Sequence, residues 1–97
     1  MNLIFDEGAK QDLAEAKTYY NKEKKGLGLE FLNAVEAGLD TLRTFPQGSP
    51  IVIGSFRQFF LRRFPYTLIY AIEETHLFIV AVAHQNRAPD YWHDRIE

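Results

Sequence analysis

The sequence predicts a single α+β domain, spanning residues 1–97, in which two helices pack on one face of an antiparallel sheet. Apolar residues recur at helical spacing in two segments of the first half. Three runs rich in Phe, Tyr, Ile and Val follow, a composition typical of strands. The chain has 97 residues, 46% of them hydrophobic, which is enough for one core but not for two.

The two helices are predicted to form an antiparallel hairpin behind a short opening strand, Asn2 to Phe5. The first helix has apolar positions spaced by three and four residues: Ala9, Leu13, Ala16 and Tyr20. The second helix repeats this spacing at Leu27, Phe31, Val35, either Gly38 or Leu39, and Leu42. The charged link between them contains two glycines and is long enough to reverse the chain. Pro46 ends the second helix, because the residue before a proline avoids helical geometry.

The strand-forming part of the sequence predicts a three-stranded antiparallel meander. Its runs cover Ser55 to Phe64, Tyr66 to Glu73, and His76 to His84, and the gaps between them are short enough for hairpins. Residues 51–53 either begin a further strand or lead into the first run. The sequence leaves the pairing of the opening strand undecided.

The last predicted strand is apolar on both faces, which is typical of a strand covered from both sides. Strict alternation puts one set of residues on one face: Leu77, Ile79, Ala81 and Ala83. The other face then carries Phe78, Val80, Val82 and His84. Two helices can cover only one of these faces. We expect the second face to be covered by the C-terminal tail or by a partner chain, and a homodimer is one form of such a partner.

Composition excludes several classes of site. The chain has no Cys and therefore neither disulfides nor thiolate ligands, and its three histidines lack metal-site spacing. We expect no metal and no cofactor. A net charge of −2 argues against a protein that grips nucleic acid mainly through phosphates. No apolar run is long enough to span a membrane and no secretory signal is visible, so no membrane role is expected.

One group of side chains has the chemistry needed to cleave RNA. A base could activate the ribose 2′-hydroxyl, a cation could stabilise the developing phosphate charge, and an acid could protonate the leaving oxygen. The candidates for these roles are His84, Arg57, Arg87 and Tyr91. The alternative is that His84, at the end of an apolar strand, is a structural hydrogen-bonding residue.

The sequence also resembles the RelE/ParE family of bacterial type II toxins over nearly its full length. The residues that carry the resemblance are Ala9, Asp12, Leu13 and Tyr20, then Gly26, Leu27, Gly28 and Phe31, then Pro46 and Arg57, the run Arg63-Phe64-Pro65-Tyr66, Tyr70, Ala81, Val82, His84, Arg87, Pro89 and Trp92. The run from Arg63 combined with the segment from His84 to Pro89 is closest to the ParE-like branch. The order of elements predicted above matches the family fold.

The resemblance implies a cytoplasmic bacterial growth inhibitor that is neutralised by a cognate antitoxin. ParE-like members bind DNA gyrase without being enzymes, whereas RelE-like members cleave mRNA on the ribosome. We favour gyrase as the target, because this chain is acidic overall and has no lysine on its predicted strands. The alternatives are a ribosome-dependent mRNA endoribonuclease and a non-toxic relative that binds only antitoxin.

Five residues are predicted to contact a partner because they lie on the first and last strands of the meander or in the tail: Arg62, Arg63, Phe78, Val80 and Trp92. Arginine favours planar contacts to carboxylate or phosphate groups. Another interpretation of the two arginines is that their charge protects an edge strand against unwanted pairing.

Overall fold

The computed structural model describes residues 2–88 and 90–96, and it confirms the predicted α+β class. Pro89, which is part of the family resemblance, lies outside the described residues. Two 3₁₀ turns, Pro46–Gly48 and His93–Ile96, accompany the main elements. These are β1 (Asn2–Phe5), α1 (Glu7–Glu23), α2 (Leu27–Thr44), β2 (Ile51–Ile53), β3 (Phe56–Phe60), β4 (Tyr66–Ile72) and β5 (His76–His84).

The helical hairpin forms as predicted, with both helix starts defined by local contacts. Asp6 caps α1, since its side chain accepts a hydrogen bond of 2.7 Å from the backbone N–H of Gly8. The link between the helices is short and turns at Gly26, whose φ of +85° is accessible to glycine without strain. Beyond the turn, the N–H of Gly28 donates to the Asn21 side chain at 2.9 Å and ties α2 to α1.

The sheet has five strands in the order β1-β5-β4-β3-β2. Strands β3, β4 and β5 form the predicted antiparallel meander, and β2 extends it as a further antiparallel strand beside β3. The opening strand, whose partner the sequence left undecided, pairs in parallel with the first half of β5, from His76 to Ile79. Strand β3 ends earlier than predicted, because the chain turns inward after Phe60 and buries Leu61 and Phe64.

A β-bulge at Val80 changes the faces predicted for β5. Ile79 pairs with Tyr70 and Ala81 pairs with Ile69, so one extra residue lies between two consecutive pairs. Beyond the bulge the predicted alternation is therefore wrong. Val82 faces the helices and His84 lies opposite Tyr66, whereas Ala81 packs in the cluster on the other face.

The sheet consequently separates two apolar clusters. The larger one lies under the helices and includes Phe31, Leu42, Leu68 and Tyr70. The smaller one, on the opposite face, is built by Ile69, Val80, Ala81 and Trp92. The second face is thus covered by the chain's own C-terminal tail, which was one of the two expected alternatives.

Replacing Tyr70 by Ala should lower the free energy of unfolding by about 4 kcal/mol, because it empties a fully buried site in the larger cluster. The change also removes the hydrogen bond of 2.6 Å that the hydroxyl donates to the Pro46 carbonyl. Urea unfolding measures the effect. Tyr19→Ala is the matched control, since that side chain is 55% exposed and its loss should cost about 0.5 kcal/mol or less. Equal effects of the two substitutions would contradict this assignment of the core.

Candidate functional site

The candidate site lies along the half of β5 that β1 does not reach. Their parallel pairing stops at Ile79, whose carbonyl accepts a hydrogen bond of 2.9 Å from the Asp6 N–H as the chain enters α1. From Val80 onward, this edge of β5 has no neighbouring strand among the described residues. Its backbone groups therefore need other hydrogen-bonding partners.

Asp12 and Arg95 supply these partners. The Asp12 carboxylate, on a residue only 6% exposed, accepts a hydrogen bond of 3.0 Å from the Val82 N–H. Arg95 binds the same carboxylate with both terminal nitrogens, at 2.8 and 3.2 Å. One of these nitrogens also donates to the Val80 carbonyl at 3.1 Å. The side chains of Asp12 and Arg95 thus form hydrogen bonds that a neighbouring strand would otherwise provide.

These contacts hold the C-terminal segment, defined here as residues 90–96, against the sheet. Its Trp92 is 2% exposed and packs on Phe56, with the ring centroids 5.8 Å apart. Gly8 allows the close approach of Arg95, since a Cβ at that position would lie 2.5 Å from the guanidinium. The segment is therefore fixed by a buried ion pair on one side and an aromatic contact on the other.

Tyr91 belongs to this network through its hydroxyl, which donates to Asp12 at 3.1 Å and lies 3.4 Å from the Val82 carbonyl. Burial, and then the nearby Asp12 charge, raise the pKa of the phenol well above its ordinary value. A hydrogen bond to Asp12 likewise raises the pKa of Arg95. Tyr91 therefore keeps its proton, and the proton is directed at Asp12.

Beside this network lies a cleft of about 360 Å³ between α1 and the end of β5. His84 and Arg87 line it from the sheet side, and Tyr66 lies edge-on to the His84 ring at 5.0 Å. The His84 Nδ1 accepts a hydrogen bond of 3.0 Å from the Asn86 N–H. The Arg87 guanidinium lies over the Tyr91 ring, 3.7 Å from its centroid. The remaining walls are formed by Asp12, Glu15, Ala16, Tyr19 and Val82.

The structure thus brings together three of the four predicted catalytic residues, His84, Arg87 and Tyr91. Arg57 does not join them, because its guanidinium donates to the backbone carbonyls of Ser49 at 2.7 Å and Gln47 at 3.3 Å. There it holds the turn before β2 in place. Sequence reasoning did not identify Asp12 and Arg95 as the pair that organises this region.

The five predicted partner-binding residues fall into two groups. Arg62 and Arg63 are exposed after β3, and Arg63 forms an ion pair of 2.8 Å with Glu30. Val80 and Trp92 are buried within the chain's own second cluster, and Phe78 is half-buried against it. Contact of these residues with a partner stays a prediction, and for Val80 and Trp92 it would require the C-terminal segment to move.

Within residues 2–88 and 90–96, no three His, Asp or Glu side chains are grouped so that they could hold a metal ion. Over the same residues, neither helix is long and apolar enough to cross a membrane.

The chain is similar to known proteins in both sequence and fold. A family model described as "ParE toxin of type II toxin-antitoxin system, parDE" matches residues 3–89. A solved structure described as "Chromosomal ParDE TA system from P. aeruginosa" superposes with a TM-score of 0.77. The two chains are 17% identical, and the match covers 87% of this chain and 95% of the other, which establishes a shared fold. No curated protein sequence matched.

Replacing Asp12 by Ala should lower the free energy of unfolding by about 3 to 5 kcal/mol, because it leaves a largely buried Arg95 without its counter-ion. Since Trp92 is the only tryptophan, its fluorescence reports whether the C-terminal segment stays docked, and we expect a red shift. Glu7→Ala, which removes an exposed ion pair with Lys10, should change stability by about 0.5 kcal/mol or less. A native tryptophan spectrum and full stability in Asp12→Ala would refute this role.

The raised pKa of Tyr91 predicts a particular loss of stability at alkaline pH. Because the folded pKa exceeds the unfolded one, this tyrosine stabilises the fold below about pH 10, and the contribution is lost as the pH rises further. Tyr91→Phe lacks the titrating proton. Its urea midpoint should therefore decline less steeply than that of the wild type as the pH rises above about 10. Parallel declines would show that Tyr91 titrates normally.

Proposed function

Since the family match spans residues 3–89, this chain belongs to the ParE toxin family of type II toxin–antitoxin systems, and we propose that it inhibits bacterial growth by binding DNA gyrase and is neutralised by a cognate antitoxin. That match is the observation that carries the proposal. The fold shared with a ParDE toxin–antitoxin structure supports it. Such a toxin acts in the bacterial cytoplasm, where gyrase is found.

The contacts of the predicted catalytic residues support inhibition by binding rather than catalysis. The Tyr91 hydroxyl donates a hydrogen bond to a buried carboxylate that Arg95 also binds, so it is poorly suited to protonate a leaving oxygen. Arg57 is bound to backbone carbonyls near β2 and is not part of the cleft. The acidic balance of the chain also disfavours a surface that must lie among ribosomal phosphates.

A second candidate function is mRNA cleavage on the ribosome. His84 and Arg87 share one cleft with Tyr66, and these side chains could serve as a base, a phosphate-binding cation and an acid. Among the described residues, no acidic side chain hydrogen-bonds the His84 ring to orient it as a base. The arrangement of these side chains therefore supports mRNA cleavage less well than inhibition of gyrase by binding.

We expect the purified protein to block supercoiling of relaxed plasmid by gyrase and to leave ribosome-bound mRNA intact. Gel assays of plasmid topology and of transcript integrity in a translation extract measure the two activities on the same preparation. Cut transcripts with unaffected supercoiling would reverse the ranking of the two functions.

Variants of two histidines sharpen this comparison. If mRNA is cut, His84→Ala should abolish the cleavage, whereas His76→Ala, at the opposite end of β5, should retain it. If expression of the chain alone neither slows growth nor inhibits gyrase, the protein is instead a non-toxic relative that binds antitoxin only.

A further inference from the structure

One stretch of the chain is uncharged and leaves most of its large apolar side chains exposed. Residues 44–56 contain no Asp, Glu, Lys or Arg, although these types make up 25% of the whole chain. In the described part of the chain eight large apolar or aromatic side chains are exposed, and four of them belong to this stretch: Phe45, Ile51, Val52 and Ile53. Three of the four form β2, which is therefore an apolar strand exposed to solvent at the edge of the sheet.

One side of β2 presents backbone groups that no other strand binds. The Gln58 N–H donates to the Pro50 carbonyl at 3.1 Å, and the next residue, Ile51, lies opposite Arg57. Successive residues of an antiparallel strand direct their backbone groups to opposite sides, so the N–H and C=O of Ile51 point away from β3. In the described part of the chain no strand lies beyond β2 to bind them. This edge can therefore pair with an added strand.

The two edges of the sheet differ in the charge beside them. Strand β1 is followed directly by Asp6 and Glu7, whose negative charges oppose the approach of a second strand with acidic neighbours. Strand β2 is followed by Gly54 and Ser55, and only its shortness and its bulge limit pairing. An added strand can consequently pair with β2, but over a few residues only.

We propose that β2 pairs with β2 of a second copy of this chain, antiparallel and across a two-fold axis beside Ile51. The N–H and C=O of Ile51 in each copy then bind the same groups in the other. A second copy matches this surface because an uncharged apolar strand offers a charged partner nothing to bind, whereas another β2 is equally uncharged and apolar. Pairing of β2 with β1 would instead leave a free edge at each end and continue into an open assembly.

The pairing is weak and leaves the rest of the protein accessible. A three-residue strand buries much less than the roughly 800 Å² per partner that is typical of stable dimers, so the dimer forms only at high protein concentration. Strands β3 and β4 separate β2 from β5, and the His84 cleft therefore stays open in both copies. The inference uses only the edge of the sheet and does not rest on the proposed function.

Cysteine cross-linking tests the two-fold axis, because the chain itself contains no Cys. Ile51→Cys places one thiol of each copy beside the axis, where facing Cα atoms lie about 5.5 Å apart and can form a disulfide. Ile4→Cys is the matched control, since Ile4 lies on the other edge strand and is 48% exposed, against 57% for Ile51. Under mild oxidation, Ile51→Cys should form covalent dimers about fivefold faster or more, because pairing raises the local thiol concentration. Equal rates would overturn the proposal.

Sedimentation equilibrium of the full-length chain measures the association itself. The average mass of the wild type should rise towards twice the monomer mass between about 10 µM and 1 mM. Val52→Lys places like charges across the paired strands and should remain monomeric, whereas Ile4→Lys should associate as the wild type does. Urea unfolding checks that both variants are folded.

The remaining outcomes count against a second copy at β2. A wild type that stays monomeric at the highest concentration, or an Ile4→Lys variant that also fails to associate, refutes the pairing. If Val52→Lys associates normally but loses inhibition of gyrase, the strand contacts gyrase and the proposal is overturned. If Val52→Lys does not fold, the cross-linking rates of the two cysteine variants decide.

Discussion

The buried Asp12 carboxylate is the contact on which the arrangement of the C-terminal half depends. It binds the Val82 N–H, the Tyr91 hydroxyl and the Arg95 guanidinium, and so joins α1, β5 and the C-terminal segment at one point. Because the pairing of β1 with β5 stops at Ile79, the backbone groups on that edge of β5 would otherwise have no hydrogen-bonding partners beyond this residue. The bulge at Val80 belongs to the same arrangement, since the Val80 carbonyl accepts from Arg95. The cover that Trp92 provides over the second face follows from this anchor.

The same anchor determines which groups remain free for chemistry. Tyr91 and Arg95 have the side chains expected of an acid and a phosphate-binding cation, yet both are committed to Asp12. The groups without such a commitment are His84, Arg87 and Tyr66, which line the cleft beside α1. A phenol with a raised pKa that is already hydrogen-bonded to a carboxylate serves structure better than proton transfer. This division of roles agrees with the proposal that the protein inhibits its target by binding.

Most of the fold was predictable because its signals are local. The apolar spacing of both helices and the strand composition after residue 55 depend on neighbours a few positions apart. The bulge at Val80 was not predictable, because β5 is apolar on both faces. No alternation of polar and apolar residues therefore shows which side chains share a face. The pairing of Asp12 with Arg95 joins residues 83 positions apart. One signal did exist: Asp12 lies three residues after Ala9 and four before Ala16, so a charged residue occupies the apolar stripe of α1.

The two groups of predicted partner-binding residues differ in the structural change that binding would require. A partner that contacted Val80 or Trp92 directly would have to displace the C-terminal segment and separate Arg95 from Asp12, at a cost of about 3 to 5 kcal/mol. That cost corresponds to a loss of roughly two to four orders of magnitude in affinity. Arg62 and Arg63 require no such rearrangement, since both are already exposed. A partner that contacts both groups would therefore reach the second face only with enough additional contact to offset the loss of the ion pair.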